Sequence, residues 1–183
     1  MVKDKNLSAV RSVLQKFQDG YTDRDVSKLD EFMQLFVQSE DIEMIGTGAT
    51  KRGGNEWCEG LARVREIIES DWKYWGDVRL DVDGAKITLH GDVAWLSTTG
   101  TVTTTKAFDT VIQFHLDDMK AIFDEEGLSA DEKLMEVTNY GMRRLRERSK
   151  GLGYSWPLRF TAVLVKDGAE WRFHASHWAR RMD

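Results

Sequence analysis

LRFTAVLVKDGAEWRFHASHWAR, residues 158–180, is the stretch whose reading decides the fold. Two runs of alternating apolar residues flank the turn-forming cluster Lys166-Asp167-Gly168, so the segment reads as a hairpin of two half-buried strands. The second strand carries two histidines and two tryptophans. By alternation, Trp171, Phe173, Ala175 and His177 share one face, and Arg172, His174, Ser176 and Trp178 share the other. A single bulge would reverse this assignment. The first set is the more apolar and is assigned to the interior, where His177 would stand among indole rings.

Period two also governs residues 78–105. Val78–Val82 and Ala85–His90 flank Asp83-Gly84, a dipeptide that closes tight hairpins, and Gly91-Asp92 opens the next strand, so three consecutive strands are expected as a meander. On the last of them Trp95, Ser97 and Thr99 lie together, on the side expected to hold His177.

Upstream the period is helical. Val10, Val13, Leu14, Phe17 and Tyr21 mark a first helix. Val26, Leu29, Phe32, Met33 and Phe36 mark a second. Asp41 to Thr47 is a short strand, and a third helix carries Trp57, Leu61, Val64, Ile67, Ile68, Trp72 and Trp75 down one side. Between residues 106 and 155 the pattern returns to helix, with Ser129 and Glu132 spaced as a capping box and Leu134, Val137, Gly141 and Leu145 on one face. These fifty residues carry too few large apolar groups to bury much alone, so they read as an insertion resting on the sheet.

Bulk properties narrow the function. A chain of 183 residues is expected to form one domain, 1–183. A net charge of −5 argues against a nucleic-acid partner, which needs a concentrated basic face. The single cysteine, Cys58, cannot form an internal disulfide, and the sequence shows neither an apolar leader nor a stretch able to span a bilayer. A cytoplasmic protein without a membrane partner is the expectation. His174 and His177 form H-x-x-H, but strand alternation puts their rings on opposite faces, so no metal site is expected. The loop Gly46-x-Gly48 with Lys51 and Arg52 lacks the spacing of a phosphate cradle, and no cofactor is expected.

The order helix, helix, DIEMIGTG (residues 41–48), tryptophan-rich helix, GDVAWLSTTGTV (91–102) and WRFHASHW (171–178) is similar to the nuclear-transport-factor-2-like superfamily, SnoaL-like branch, over residues 8–105 and 156–181. That resemblance implies an α+β cone: a strongly curved antiparallel sheet wrapped around three helices, here with a helical insertion (106–155) before the last hairpin. It also implies a homodimer paired through the outer sheet face.

The resemblance further implies a pocket for a small apolar or cyclic molecule, as in ketosteroid isomerases, cyclases and dehydratases of the same architecture. The ketosteroid isomerase base falls near Gly46, which has no side chain to take a proton. His177 falls where the SnoaL-like pattern shows a histidine, and an imidazole suits acid or base work near neutral pH. The candidate catalytic residues are therefore His177, Asp41 and His174. Tyr21, Trp57, Trp72, Trp95, Thr99 and Phe173 are the candidate ligand-binding residues. Each has a plain alternative: the histidine satisfied in the core, Asp41 bonding locally at a strand start, the aromatic side chains packed as core. Two functions stay open: a cofactor-independent acid/base isomerase, cyclase or lyase, and a noncatalytic ligand-binding or assembly module.

Overall fold

The computed structural model describes residues 2–54 and 56–180. Helix α1 (Val2–Asp23) buries Val10, Leu14, Phe17 and Tyr21, the stripe its periodicity predicts. It stops at Arg24, whose backbone enters the left-handed region at φ 51° and whose guanidinium reaches the Trp75 carbonyl. The expected second helix is broken into single turns around α2 (Leu29–Phe32), yet it still buries Leu29, Phe32, Met33 and Phe36.

The remaining elements are β1 (Glu43–Ile45), β2 (Trp57–Glu59), α3 (Leu61–Tyr74), β3 (Asp77–Leu80), β4 (Lys86–His90) and β5 (Val93–Thr103). After them come α4 (Phe108–Asp124), α5 (Ala130–Ser149), β6 (Ser155–Asp167) and β7 (Glu170–Arg180). The strands form one curved, open sheet in the order β2-β1-β7-β6-β5-β3, with β4 also on β5. Every pairing is antiparallel except β1 with β7. Asp83-Gly84 does not close a hairpin, contrary to the meander expectation. β3 pairs with residues 100–103 of β5 and β4 with residues 93–97, so two short strands occupy successive halves of one long strand's edge. Trp57 likewise belongs to β2 rather than to the third helix, which begins after Gly60.

The curved sheet wraps α1, and Phe17 is the hub of the core. Its ring lies 4.9 Å from Tyr21, 5.2 Å from Phe160, 5.0 Å from Phe173 and 5.9 Å from Trp178. Full burial of such a ring contributes about 1.5–3 kcal/mol. Gly20 permits the close fit of α1 on α2, because a Cβ there would meet the Phe32 ring at 2.3 Å.

A bulge decides which way β7 points its histidines. Phe173 opposes Leu164 and Ala175 opposes Val163, which leaves His174 as the extra residue. Beyond it the alternation is inverted, so Trp171 and Phe173 face inward, then Ser176 and Trp178. His177 is exposed on the outer face, which corrects its assignment to the cone interior. Trp95 does share its face, but that face is the outer one, where Trp95 is 64% exposed and Thr99 is exposed as well.

The insertion is two helices lying between β5 and β6. Ser129 and Glu132 make the expected capping box on α5. The face of α5 turned to the protein is nevertheless the polar one, carrying Tyr140, Arg144 and Glu147, while Leu134, Met135, Met142 and Leu145 stand in solvent. Of the expected apolar face, Leu134 and Leu145 are exposed, whereas Val137 and Gly141 are half-buried, Gly141 beside Met119 of α4. Helix α5 packs on the cone through ion pairs, whereas α4 buries Val111 and Ile122.

Candidate active site

The cone and its inserted helices border a half-open cavity of about 260 Å³. Helix α3 contributes Ile67, Asp71 and Tyr74, and Trp75 follows directly at its end. Phe114, His115 and Asp118 come from α4, Arg144, Glu147 and Arg148 from α5, and Trp178 from β7. Tyr74 and Phe114 stack at 4.1 Å and 11°, which fixes α4 against α3 along this wall. A neighbouring cavity of about 250 Å³ lies under the 47–54 loop, with Thr47 common to both.

Asp71 is the acidic side chain that the helical stripe should not contain. It lies seven residues after Val64 and four before Trp75, in register with the buried face of α3. It keeps some accessible surface because the cavity reaches it, but the protein around it removes most of its hydration. That burial raises its pKa to about 7, with Glu56 adding repulsion, against the lowering effects of the Tyr21 hydrogen bond, Arg24 and Arg144. The Tyr21 hydroxyl donates to Asp71 Oδ2 at 3.0 Å, and burial first, then the carboxylate, hold the phenol well above its ordinary pKa. A carboxyl that changes charge near neutrality can both take and return a proton at working pH.

The opposite wall is polar and ordered. Glu56 Oε1 accepts from Arg143 at 2.6 Å and from Arg144 at 3.1 Å, and its Oε2 accepts from the Gly48 amide at 2.6 Å. Arg144 also reaches Glu147 at 3.0 Å, and Arg180 pairs with the same carboxylate. Burial alone would lower the Arg144 pKa, but Glu147 and Glu56 outweigh it and drive the value up. Burial would likewise raise Glu147, but Arg144 and Arg180 hold it below the usual carboxylate range. Tyr140, beneath Arg144 at 4.8 Å, joins His115 and Asp118 through its hydroxyl. His115 is buried, and burial followed by repulsion from Arg144 and Arg148 lowers its pKa to about 4.

Among the described residues no three His, Cys, Asp or Glu side chains gather as a metal-holding group. No helix among them is long and apolar enough to cross a membrane. Cys58 is buried, and burial pushes its thiol up to about 11, which leaves it protonated and a poor nucleophile near neutrality.

Residues 10–116, more than half of the chain, match the family model for the SnoaL-like domain. The chain belongs to the SnoaL-like family. No curated protein matches it. Among solved structures, a candidate dehydratase of the NTF2-like family from Streptomyces avermitilis superimposes with a TM-score of 0.61 over 99% of each chain, at 9% identity. An NTF2-like superfamily protein from Salmonella enterica serovar Typhimurium gives 0.57 at 12% identity, covering 95% of this chain and 89% of the other. A ketosteroid isomerase-like protein from Erwinia carotovora atroseptica gives 0.56 at 11% identity over 95% of each. Such low identities show a shared NTF2-like fold and leave the chemistry to the residues.

The site of this SnoaL-like chain is built mainly from residues the sequence did not single out. Of those it did, Tyr21 touches the site through Asp71, while Trp72 and Phe173 are core. Trp57 is partly exposed on β2, where its indole donates to Glu43 at 2.6 Å, and Trp95 and Thr99 point outward. Asp41 is exposed in the loop before β1, bonded to Ser39, and His174 sits on the bulge. None of the three proposed catalytic residues lines the cavity. Asp71, His115 and Asp118 share one signal that would have found them: each is a polar residue on the apolar stripe its helix buries.

Proposed function

We propose that this protein catalyses proton transfer on a small ring-bearing metabolite held in the capped cone, as an isomerase or a dehydrating lyase, with Asp71 as the proton carrier. The observation that supports this most is a carboxyl poised near pKa 7 in a cavity with aromatic walls, bonded to a buried tyrosine. In the charged form Asp71 takes a proton from the carbon next to a substrate carbonyl, and the C–H electron pair moves into an enolate. The protonated carboxyl then returns the proton to another carbon, which completes an isomerisation, or to a β-hydroxyl. In the latter case the C–O bond breaks and water leaves.

The test is deuterium exchange at the α-carbon of β-tetralone and cyclohexenone, followed by NMR. Exchange catalysed by the wild type and lost in Asp71→Asn supports the reading. Exchange that survives in Asp71→Asn removes Asp71 from the chemistry.

A second reading, a noncatalytic assembly module, is favoured by the solvent face of α5. Leu134, Met135, Met142 and Leu145 are each between 49% and 64% exposed. Asp131 and Glu132 begin this helix and Arg146 and Lys150 end it, so an antiparallel second copy would match both the stripe and the charges. Leu134→Glu with Leu145→Glu would then convert a dimer to a monomer in sedimentation.

A further inference from the structure

We infer that the substrate is a ring acid and that Arg148 receives its carboxylate: of the arginines lining the cavity, this is the one with no carboxylate partner among the described residues. The inference deepens the reading of the cavity as a small-molecule site, on which it rests, and does not depend on Asp71 being the proton carrier.

Four guanidiniums, those of Arg143, Arg144, Arg148 and Arg180, stand around two carboxylates. Glu56 accepts from Arg143 and Arg144 through one oxygen and from the Gly48 amide through the other. Glu147 accepts from Arg144 with both oxygens, at 3.2 and 3.0 Å, and pairs with Arg180 as well. Both carboxylates are thereby engaged. Arg63, also lining the cavity, pairs with Glu66 at 2.6 Å. Asp118 lines it too, but burial pushes its pKa up, and its Oδ2 accepts from Tyr140. Arg148 is the cation left over.

A structural role accounts for this arginine only in part. Arg148 stands in the last turn of α5, half-buried, and gives Nη1 to the Lys106 carbonyl at 2.6 Å, which ties α5 to the chain leaving β5. That bond leaves its charge unanswered. Burial disfavours the cation, Glu147 favours it, and Arg144 and Arg180 oppose it, so its pKa lies below the ordinary arginine value while the group stays charged near neutrality. Arg144 is four residues earlier on the same helix, a spacing at which like charges repel. Nε is shut away from solvent and from any ligand. Nη2 is not shut away and bonds to no described residue, so it is the donor open to a ligand. A carboxylate there supplies the missing charge and accepts a charge-assisted hydrogen bond, roughly twice as strong as a neutral one. One open donor suits a monoanion, whereas a phosphate dianion asks for more. Tyr74, Trp75, Phe114 and Trp178 line the same cavity and take the ring.

Benzoate and benzamide test this on the full chain, being nearly the same size while only benzoate is charged. Calorimetric titration near neutral pH should show the wild type binding benzoate about tenfold more tightly or better, the worth of a hydrogen bond to a charged group. Phenyl phosphate should bind no more tightly than benzoate. The preference for benzoate should vanish in Arg148→Gln. It should persist in Asp71→Asn and in Arg146→Gln, which removes a solvent-exposed cation of the same helix turn. Equal affinities, no binding of either probe, tighter binding of phenyl phosphate, a preference that survives in Arg148→Gln, or one lost in Arg146→Gln or Asp71→Asn would each overturn the proposal. Guanidinium-nitrogen NMR of the wild type needs no variant: benzoate should shift the Arg148 signals and benzamide should leave them in place, and Arg148 signals unmoved by benzoate overturn the proposal. β-Tetralone carries no charge, so its deuterium exchange in the wild type and in Asp71→Asn reports on the proton carrier alone, and the two readings fail separately.

Discussion

Tyr21 and Asp71 stand 50 positions apart in sequence, and the phenol of one donates to the carboxylate of the other at 3.0 Å, tying α1 to α3 beside the cavity. The bond stabilises the charged carboxylate, so it pulls the Asp71 pKa down while burial pushes it up, and burial wins.

Removing that donor should therefore move Asp71 further from its ordinary value. In Tyr21→Phe the carboxyl should titrate above 7, and the acidic limb of any pH–rate profile should move with it. A carboxyl-carbon NMR titration of Asp71 in both proteins checks the direction. An unmoved or lowered value would mean that the hydrogen bond does not favour the ionised form.

Asp71 and His115 should give the protein opposing pH dependences of stability. Asp71 titrates near 7 in the folded chain against an ordinary 3.8, so between about 4 and 7 only the unfolded chain loses this proton, and stability falls as pH rises. His115 titrates near 4 against 6.5, so over that interval only the unfolded chain gains this proton on acidification, and stability falls as pH drops. The two effects offset one another across their overlap. Urea denaturation should show stability rising more steeply with pH in Asp71→Asn than in the wild type, and falling with pH in His115→Phe relative to the wild type. Parallel slopes in all three proteins would mean that neither group is shifted.

The cone was legible because its elements bury apolar stripes, and those stripes have a period. Phe17 and Phe173 are where helical spacing and alternation place them, whereas Leu96 is buried on the face of β5 opposite to the one expected inside. The site was less legible for two physical reasons. One residue, His174, is inserted into the ladder, which turns His177 outward with no mark in composition. The insertion inverts the usual rule as well: α5 binds the cone through Arg143, Arg144 and Glu147 and leaves leucine and methionine outside, so a search for its apolar face selects the surface turned away from the site.

Because charge holds α5 in place, one carboxylate should matter more there than any apolar contact. Glu56→Gln strips the shared partner from Arg143 and Arg144, whose side chains are each only 14% exposed. Breaking a buried pair from one side costs about 3–5 kcal/mol. Hydrogen exchange should quicken across 130–149 and the 46–54 loop while the β5–β6 ladder stays protected. Uniform loosening of the whole sheet would show instead that the insertion and the cone unfold as one unit.

The bulge in β7 makes neighbouring residues behave in opposite ways. Trp178 packs 4.4 Å from Phe160 and 5.5 Å from Tyr21, so Trp178→Ala empties the centre of the core and should cost about 3–5 kcal/mol. His177, one position earlier, lies on the outer face opposite Thr161, so His177→Ala should change stability by no more than about 0.5 kcal/mol and leave deuterium exchange on β-tetralone untouched. Urea denaturation and the exchange assay on both variants decide the matter. If His177→Ala were the damaging substitution and Trp178→Ala the silent one, the strand would have to run without its extra residue, with the imidazole facing inward as plain alternation has it.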